Sequence, residues 1–187
     1  LLLITDTKVD SVDQILPALE LISRDGRPLI IVAEEIEGQA LAALVMNTAR
    51  GTLKIAAVKA PFYGERRRNI LSDLALSVGA EFFSRESTTA LRDIKLEHFG
   101  QCRSIEISKG TTTVIGGRGS VEDIDSRIEL LKAEMTATDD LRECDKIQER
   151  ITKLASGVAV IRVGAPTEVE MIEKKHRIED AVEAVKA

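Results

Sequence analysis

The chain opens on an apolar run, LLLITD, whose shortness and branched residues predict a strand. Residues 11–24, SVDQILPALELISR, place Val12, Ile15, Leu16, Leu19 and Ile22 on one helical stripe, and Gly26 follows as a stop signal. PLIIVAE predicts a second strand, with Pro28 suited to its first position. EGQALAALVMNTARG has no charge from Gln39 to Ala49 and predicts a helix ended by Gly51. LKIAAVKA predicts a third strand. Strands alternating with helices in this way imply a parallel sheet and an α/β fold. RRNILSDLALSVGA predicts a further helix, and AEFFS, CRSIEIS and TTTVIGG short strands. Val121, Ile124, Ile128, Leu131 and Met135 share one helical face, and Leu141, Ile147, Ile151 and Leu154 mark a returning helix, so TATDD turns a helical hairpin. GVAVIRVG predicts a last strand. Thr167, with Glu170 three residues on and Pro166 before it, caps a last helix. The best domain boundary is Ser156-Gly157, between helix and strand.

The first two helices carry too much apolar surface. On a wheel of about 100° per residue, Ala18 and Leu21 widen the first stripe to roughly 220°. In the second helix Leu41, Leu44, Val45 and Met46 point in spread directions. A helix lying on a sheet can bury only one side, so each has apolar area to spare. That area is covered by another layer of the domain or shown to a partner, since contiguous exposed apolar patches mark interaction sites. Met46 suits the second reading, because its thioether adapts to varied partners.

Composition narrows the field. Lys and Arg number 26 against 31 Asp and Glu, a net charge of −5, which argues against broad nucleic-acid or membrane-surface binding. No apolar run approaches a membrane span. Cys102 and Cys144 lack paired spacing and read as two buried, reduced thiols. The chain starts without Met in an apolar run and stops inside a helical pattern, so it reads as part of a longer protein.

Several motifs suggest chemistry and have plainer explanations. GGRGS, at 116–120, could cradle phosphate, but Glu122, Asp123 and Asp125 would repel an anion. Ser120 with Asp123 is a helix cap. KAPFYGERRRN interleaves aromatics with Arg, yet it is one short loop in an acidic chain and reads as solvated. His98 and His176 have no ligand spacing. Asp180 lies opposite the last helix's stripe of Met171, Ile178, Val182 and Val185, and by its own helix is a solvated carboxylate.

Four stretches in order, PLIIVAEEIEGQALAALVMNTARG, KAPFYGERRRNILSDLA, LASGVAVIRVGAPTEVEM and EKKHRIEDA, resemble the group I chaperonins, the GroEL family. The resemblance implies a layered β/β/α apical-domain core with flanking helices and a helical hairpin. It implies that residues 1–157 are a substrate- and lid-binding apical domain without its first segment. Residues 158–187 are then the C-terminal part of the intermediate domain. The function implied is that of a molecular chaperone in an ATP-driven folding cycle. Its binding positions for polypeptide and lid carry over to Leu16, Leu19, Leu41, Val45 and Met46. Asp180 matches the family's aspartate that positions water on ATP, and Gly157 matches a hinge. ATP and Mg are implied for the full-length parent and none for this piece, which is expected to be inactive alone. Implied partners are unfolded polypeptides, a GroES-type co-chaperonin and identical subunits in a double seven-membered ring. No nucleic acid or membrane is implied. The compartment implied is a bacterial or virus-programmed cytoplasm, or an organelle matrix.

The chain departs from the family at Phe62-Tyr63-Gly64, where Gly-Phe-Gly is usual, which predicts a stiffer loop. Ser156-Gly157 replaces Gly-Gly, Pro166 stands where Ala is usual, and Gln39 replaces an acid, removing a salt bridge to Arg50. On the residues alone two rivals stay open. One is a self-contained nucleotide-binding α/β hydrolase. The other is a structural piece with both apolar helices buried.

Overall fold

The computed structural model describes residues 1–87, 89–108, 110–155, 172, 176 and 177. The chain divides into two compact units, Leu1–Gly157 and Val158–Ala187, and the elements below belong to the first. The last predicted strand, the Thr167 cap, Gly157 and Asp180 lie outside the described residues.

In chain order the elements are β1 (Leu2–Thr5), β2 (Lys8–Val9), α1 (Val12–Asp25), β3 (Leu29–Ala33), β4 (Glu35–Ile36), α2 (Gly38–Ala49) and β5 (Ile55–Lys59). Then come α3 (Gly64–Val78), β6 (Phe82–Phe83), β7 (Cys102–Ile107), β8 (Thr112–Gly117), α4 (Val121–Ala137) and α5 (Leu141–Ala155).

Four parallel strands form the central sheet in the order β5-β3-β1-β6. Parallel sheets are covered on both faces, so their inner strands are apolar throughout. β1 is buried at every position. Alternate side chains serve opposite faces. Leu3, Leu29, Ile31 and Ala33 pack with Ile15, Ala18, Leu19 and Ile22 of α1 and with Ala40 and Leu44 of α2. Leu2, Ile4 and Val32 pack with Leu71, Ala75 and Val78 of α3. The βαβαβ reading of the first third of the chain therefore holds, as does the helical hairpin. Ile128 and Leu131 of α4 close on Ile147 and Ile151 of α5.

The hairpin is tied to α3 by a buried ion cluster. Arg150 donates from Nε and an amino nitrogen to the Asp73 carboxylate at 2.6 and 3.0 Å, and Arg127 Nε adds a third bond at 3.1 Å. Asp73 and Arg150 are both buried.

Several features differ from the sequence reading. β2 and β4 form a two-residue parallel pair, Lys8 against Glu35 and Val9 against Ile36, too short for any periodicity to reveal. Short 3₁₀ turns at Leu91–Asp93 and Leu96–His98 carry the chain between β6 and β7. Cys102 and Cys144 are free but half-buried rather than buried. The glycines of GGRGS have a packing cause. A Cβ at Gly117 or Gly119 would collide with the backbone oxygens of Ser77 and Leu76, where β8 runs against the end of α3. Ser120 caps α4 as predicted, accepting from the Asp123 amide at 3.3 Å.

Candidate functional site

α1 begins on a reciprocal cap. Ser11 Oγ accepts from the Asp13 amide, while Gln14 Oε1 accepts from the amides of Ser11 and Asp10 at 3.1 and 3.0 Å. It ends at Gly26 in the left-handed region, φ 80°. α2 has no side-chain cap at its N-terminus. It is aligned instead by the backbone just ahead of α1. The Glu37 amide donates to Val9 O at 3.0 Å, the Ala40 amide donates to Asp10 O at 3.2 Å, and Lys8 pairs with Glu37 at 2.6 Å. The sequence signal for the α1 cap was present, since Ser-x-x-Gln ahead of an apolar run is a capping-box pattern. The clamp on α2 had none, because its hydrogen bonds are made by backbone groups and its ion pair joins residues far apart in sequence.

Both helices run antiparallel to the strands they connect, so they are parallel to each other. Both bury residues in the same face of the sheet. Their starts are held level by the Ala40–Asp10 bond. βαβ crossovers are right-handed, which fixes the side of α1 on which α2 lies. With 100° per residue, Leu16 and Glu20 then turn toward α2, and Gln39, Ala43, Met46 and Arg50 turn toward α1. A furrow lies between them. Leu41 and Val45 fall on the outward and far flank of α2.

Four of the five predicted contact residues are open to solvent: Leu16 is 44% exposed, Leu41 42%, Val45 58% and Met46 52%. The fifth differs from the expected exposure. Leu19 is only 6% exposed and packs in the core beside Ile15, Ala18 and Ile22, so it forms the floor beneath the face and not its surface. Leu44 lies at 4% against the sheet. The reading with both helices buried all round is therefore excluded. Gly157 and Asp180, the predicted hinge and catalytic positions, lie outside the described residues.

The electrostatics of this face are mild. Lys8 is held above its usual value by its hydrogen bond to Glu37. Along α2 the outward side chains from Gln39 to Ala49 carry no charge.

Concave regions elsewhere have mixed polar and apolar linings. A cleft of about 450 Å³ opens where β1 and β6 end, lined among others by Thr5, Thr7, Ser84, Ser87 and Arg85. Its hydroxyls satisfy each other and the backbone: Thr5 Oγ1 bonds Phe83 O and Thr7 Oγ1, and Ser87 Oγ bonds Phe82 O and Ser84 Oγ. Among the described residues no group of three His, Cys, Asp or Glu could hold a metal ion. His98 is structural, its Nδ1 accepting from the Lys95 amide at 3.2 Å. In the loop ahead of α3, Phe62 takes a left-handed φ of 62°, with the Arg66 guanidinium 3.7 Å above its ring, while Tyr63 is almost fully exposed. No helix among the described residues is long and apolar enough to cross a membrane.

This architecture is that of a chaperonin domain. The fold is similar to chaperonin gp146 from bacteriophage EL 2 (Pseudomonas aeruginosa), solved in the presence of ATP-BeFx, with TM-score 0.65, 20% identity, and coverage of 99% of this chain and 37% of that one. A second crystal form of gp146 matches with TM-score 0.61 at 19% identity, over 99% of this chain and 36% of that one. The chain thus spans little more than a third of the solved chaperonin's length. Its residues 5–187 match the TCP-1/cpn60 chaperonin family, and the chain belongs to that family.

Proposed function

We propose that the α1/α2 face binds apolar segments of non-native polypeptides, and that the chain is the client-binding part of a chaperone. The observation that carries this reading is the exposure of Leu16, Leu41, Val45 and Met46 on two helices whose opposite sides are fully packed. Apolar area left in water gives its free energy to whatever covers it, at about 25 cal/mol per Å². It has no shape of its own to impose on the occupant, which suits clients of varied sequence. Met46, at the lip of the furrow, adds an adaptable contact.

We place this face in a larger cycle. Residues 1–157 act as the apical domain, a reading with which the division into Leu1–Gly157 and Val158–Ala187 agrees. In the longer protein ATP and Mg bind outside this chain, and Asp180 positions the attacking water. A GroES-type lid displaces the client from the same face, and identical subunits form a double ring. These steps rest on family membership and on the resemblance of residues 158–187.

The test is capture of a permanently unfolded, reduced client by the wild-type chain and by Leu41→Glu and Val45→Glu. A carboxylate pressed against an apolar client is desolvated without a partner, at a cost of several kcal/mol. Both variants should keep the fold and lose capture. Undiminished capture by both would refute the reading.

A further inference from the structure

The charges that bound the face are sorted by end. At the N-termini of α1 and α2 stand Asp10 and Asp13, both exposed, and Glu37, whose charge is offset by Lys8. At the C-termini stand Arg24 and Arg50, both exposed. None of Asp10, Asp13, Arg24 and Arg50 forms an ion pair with another described residue, and neighbouring Arg27 is already taken by Asp25. Because the two helices are parallel and start level, these groups add. Each helix dipole opposes them with about half a charge at either end. Two helices therefore cancel about one charge per end, and about −1 and +1 remain. Glu20, midway along the furrow with Arg24 one turn beyond, softens the gradient without reversing it. Between the ends lies the uncharged stretch of Leu16, Leu41, Val45 and Met46.

We propose that the face has a direction: it seats a non-native segment with its cationic end over the helix N-termini and its anionic end over Arg24 and Arg50. The occupant is an apolar segment carrying Lys or Arg at one end and Asp or Glu at the other. Occupant and face are complementary in charge, and the direction rests on the reading of the face as a client site.

The direction can be read by nuclear magnetic resonance. The probe is a peptide of 12 residues, matching α2 in length, with two Lys, an apolar core and two Glu, spin-labelled at one end or the other. A label at the Lys end should broaden the amides of Ser11, Asp13 and Gln39. A label at the Glu end should broaden those of Arg24, Gly26 and Arg50. The dipolar peptide should bind roughly three- to tenfold more tightly than matched peptides with Lys at both ends or Glu at both ends, because exposed pairs are individually weak. That preference should vanish in about 1 M salt. Asp13→Asn combined with Arg24→Gln should make the two labels broaden both ends alike. Suppose both labels already do so in the wild type while Leu41→Glu abolishes binding: the direction is then refuted and the client site stands. If no peptide binds, both fail.

Discussion

The central sheet is covered on both faces by helices, and the two covers end differently. On one face α3 turns its outer side to further protein. Asp73 of α3 holds Arg150 of α5 and Arg127 of α4, and Arg66 reaches Glu149 of α5 at 3.0 Å. Arg67 and Arg68 carry the pattern on to Glu34 and Asp6. On the other face α1 and α2 show Leu16, Leu41, Val45 and Met46 to solvent. Both covers bury their inner stripes equally well, so exposed leucines are not needed to hold the sheet. One face spends its outward positions on fixing a helical hairpin, and the other leaves them available to a partner.

At their buried positions the two faces should behave alike. Leu44→Glu on α2 and Leu71→Glu on α3 each drive a carboxylate into the core, and each should unfold the domain, at about 4 kcal/mol or more. Circular dichroism at room temperature should show lost structure for both. The outward positions should then diverge. Asp73→Ala strands the buried Arg150 without its partner and should cost about 3–5 kcal/mol in urea unfolding. Leu41→Glu or Val45→Glu should shift stability by no more than about 0.5 kcal/mol, as exposed sites do. A loss near that of Asp73→Ala would erase the contrast.

The smallest effect is acid sensitivity. The Glu149 carboxyl is held below its usual value, chiefly by the hydrogen bond from Lys153, with Arg66 adding to it. Its folded-state pKa is lowered, so its stabilisation is present above the unfolded value of about 4.3. It is lost as pH falls through the folded value. The pair is solvent-screened, so Glu149→Gln should remove only a few tenths of a kcal/mol at pH 7 and almost nothing at pH 2. Thermal melts across that range would reveal it, and a loss that persisted unchanged at pH 2 would assign the effect to packing.

Helix and strand periodicity made the sheet, α1, α2 and the hairpin legible, because each spans several turns or a full apolar run. It could not reveal β2 and β4, which have two residues each. Nor could it reveal the Asp73–Arg150 bond, whose partners stand 77 residues apart. The glycines of GGRGS resembled a phosphate loop because sequence does not show that the end of α3 presses on them. Of the five contact positions carried over from the family, Leu19 alone is buried, for a reason the helix wheel already contained. It lies within the stripe of Ile15, Ala18 and Ile22, and a side chain there serves the sheet. The furrow's composition was readable in the sequence. The split that puts Met46 on its lip and Leu41 and Val45 on the outer flank needed the crossover geometry.

The central claim is that the two covers of the sheet differ in availability to clients. Amide spectra of the 187-residue chain, recorded as a permanently unfolded client is added, test it most directly. The account predicts broadening at Leu16, Leu41, Val45 and Met46, with Ile70, Leu71 and Ile147 unchanged. Broadening centred on α3 and α5, or none at saturating client, would contradict it.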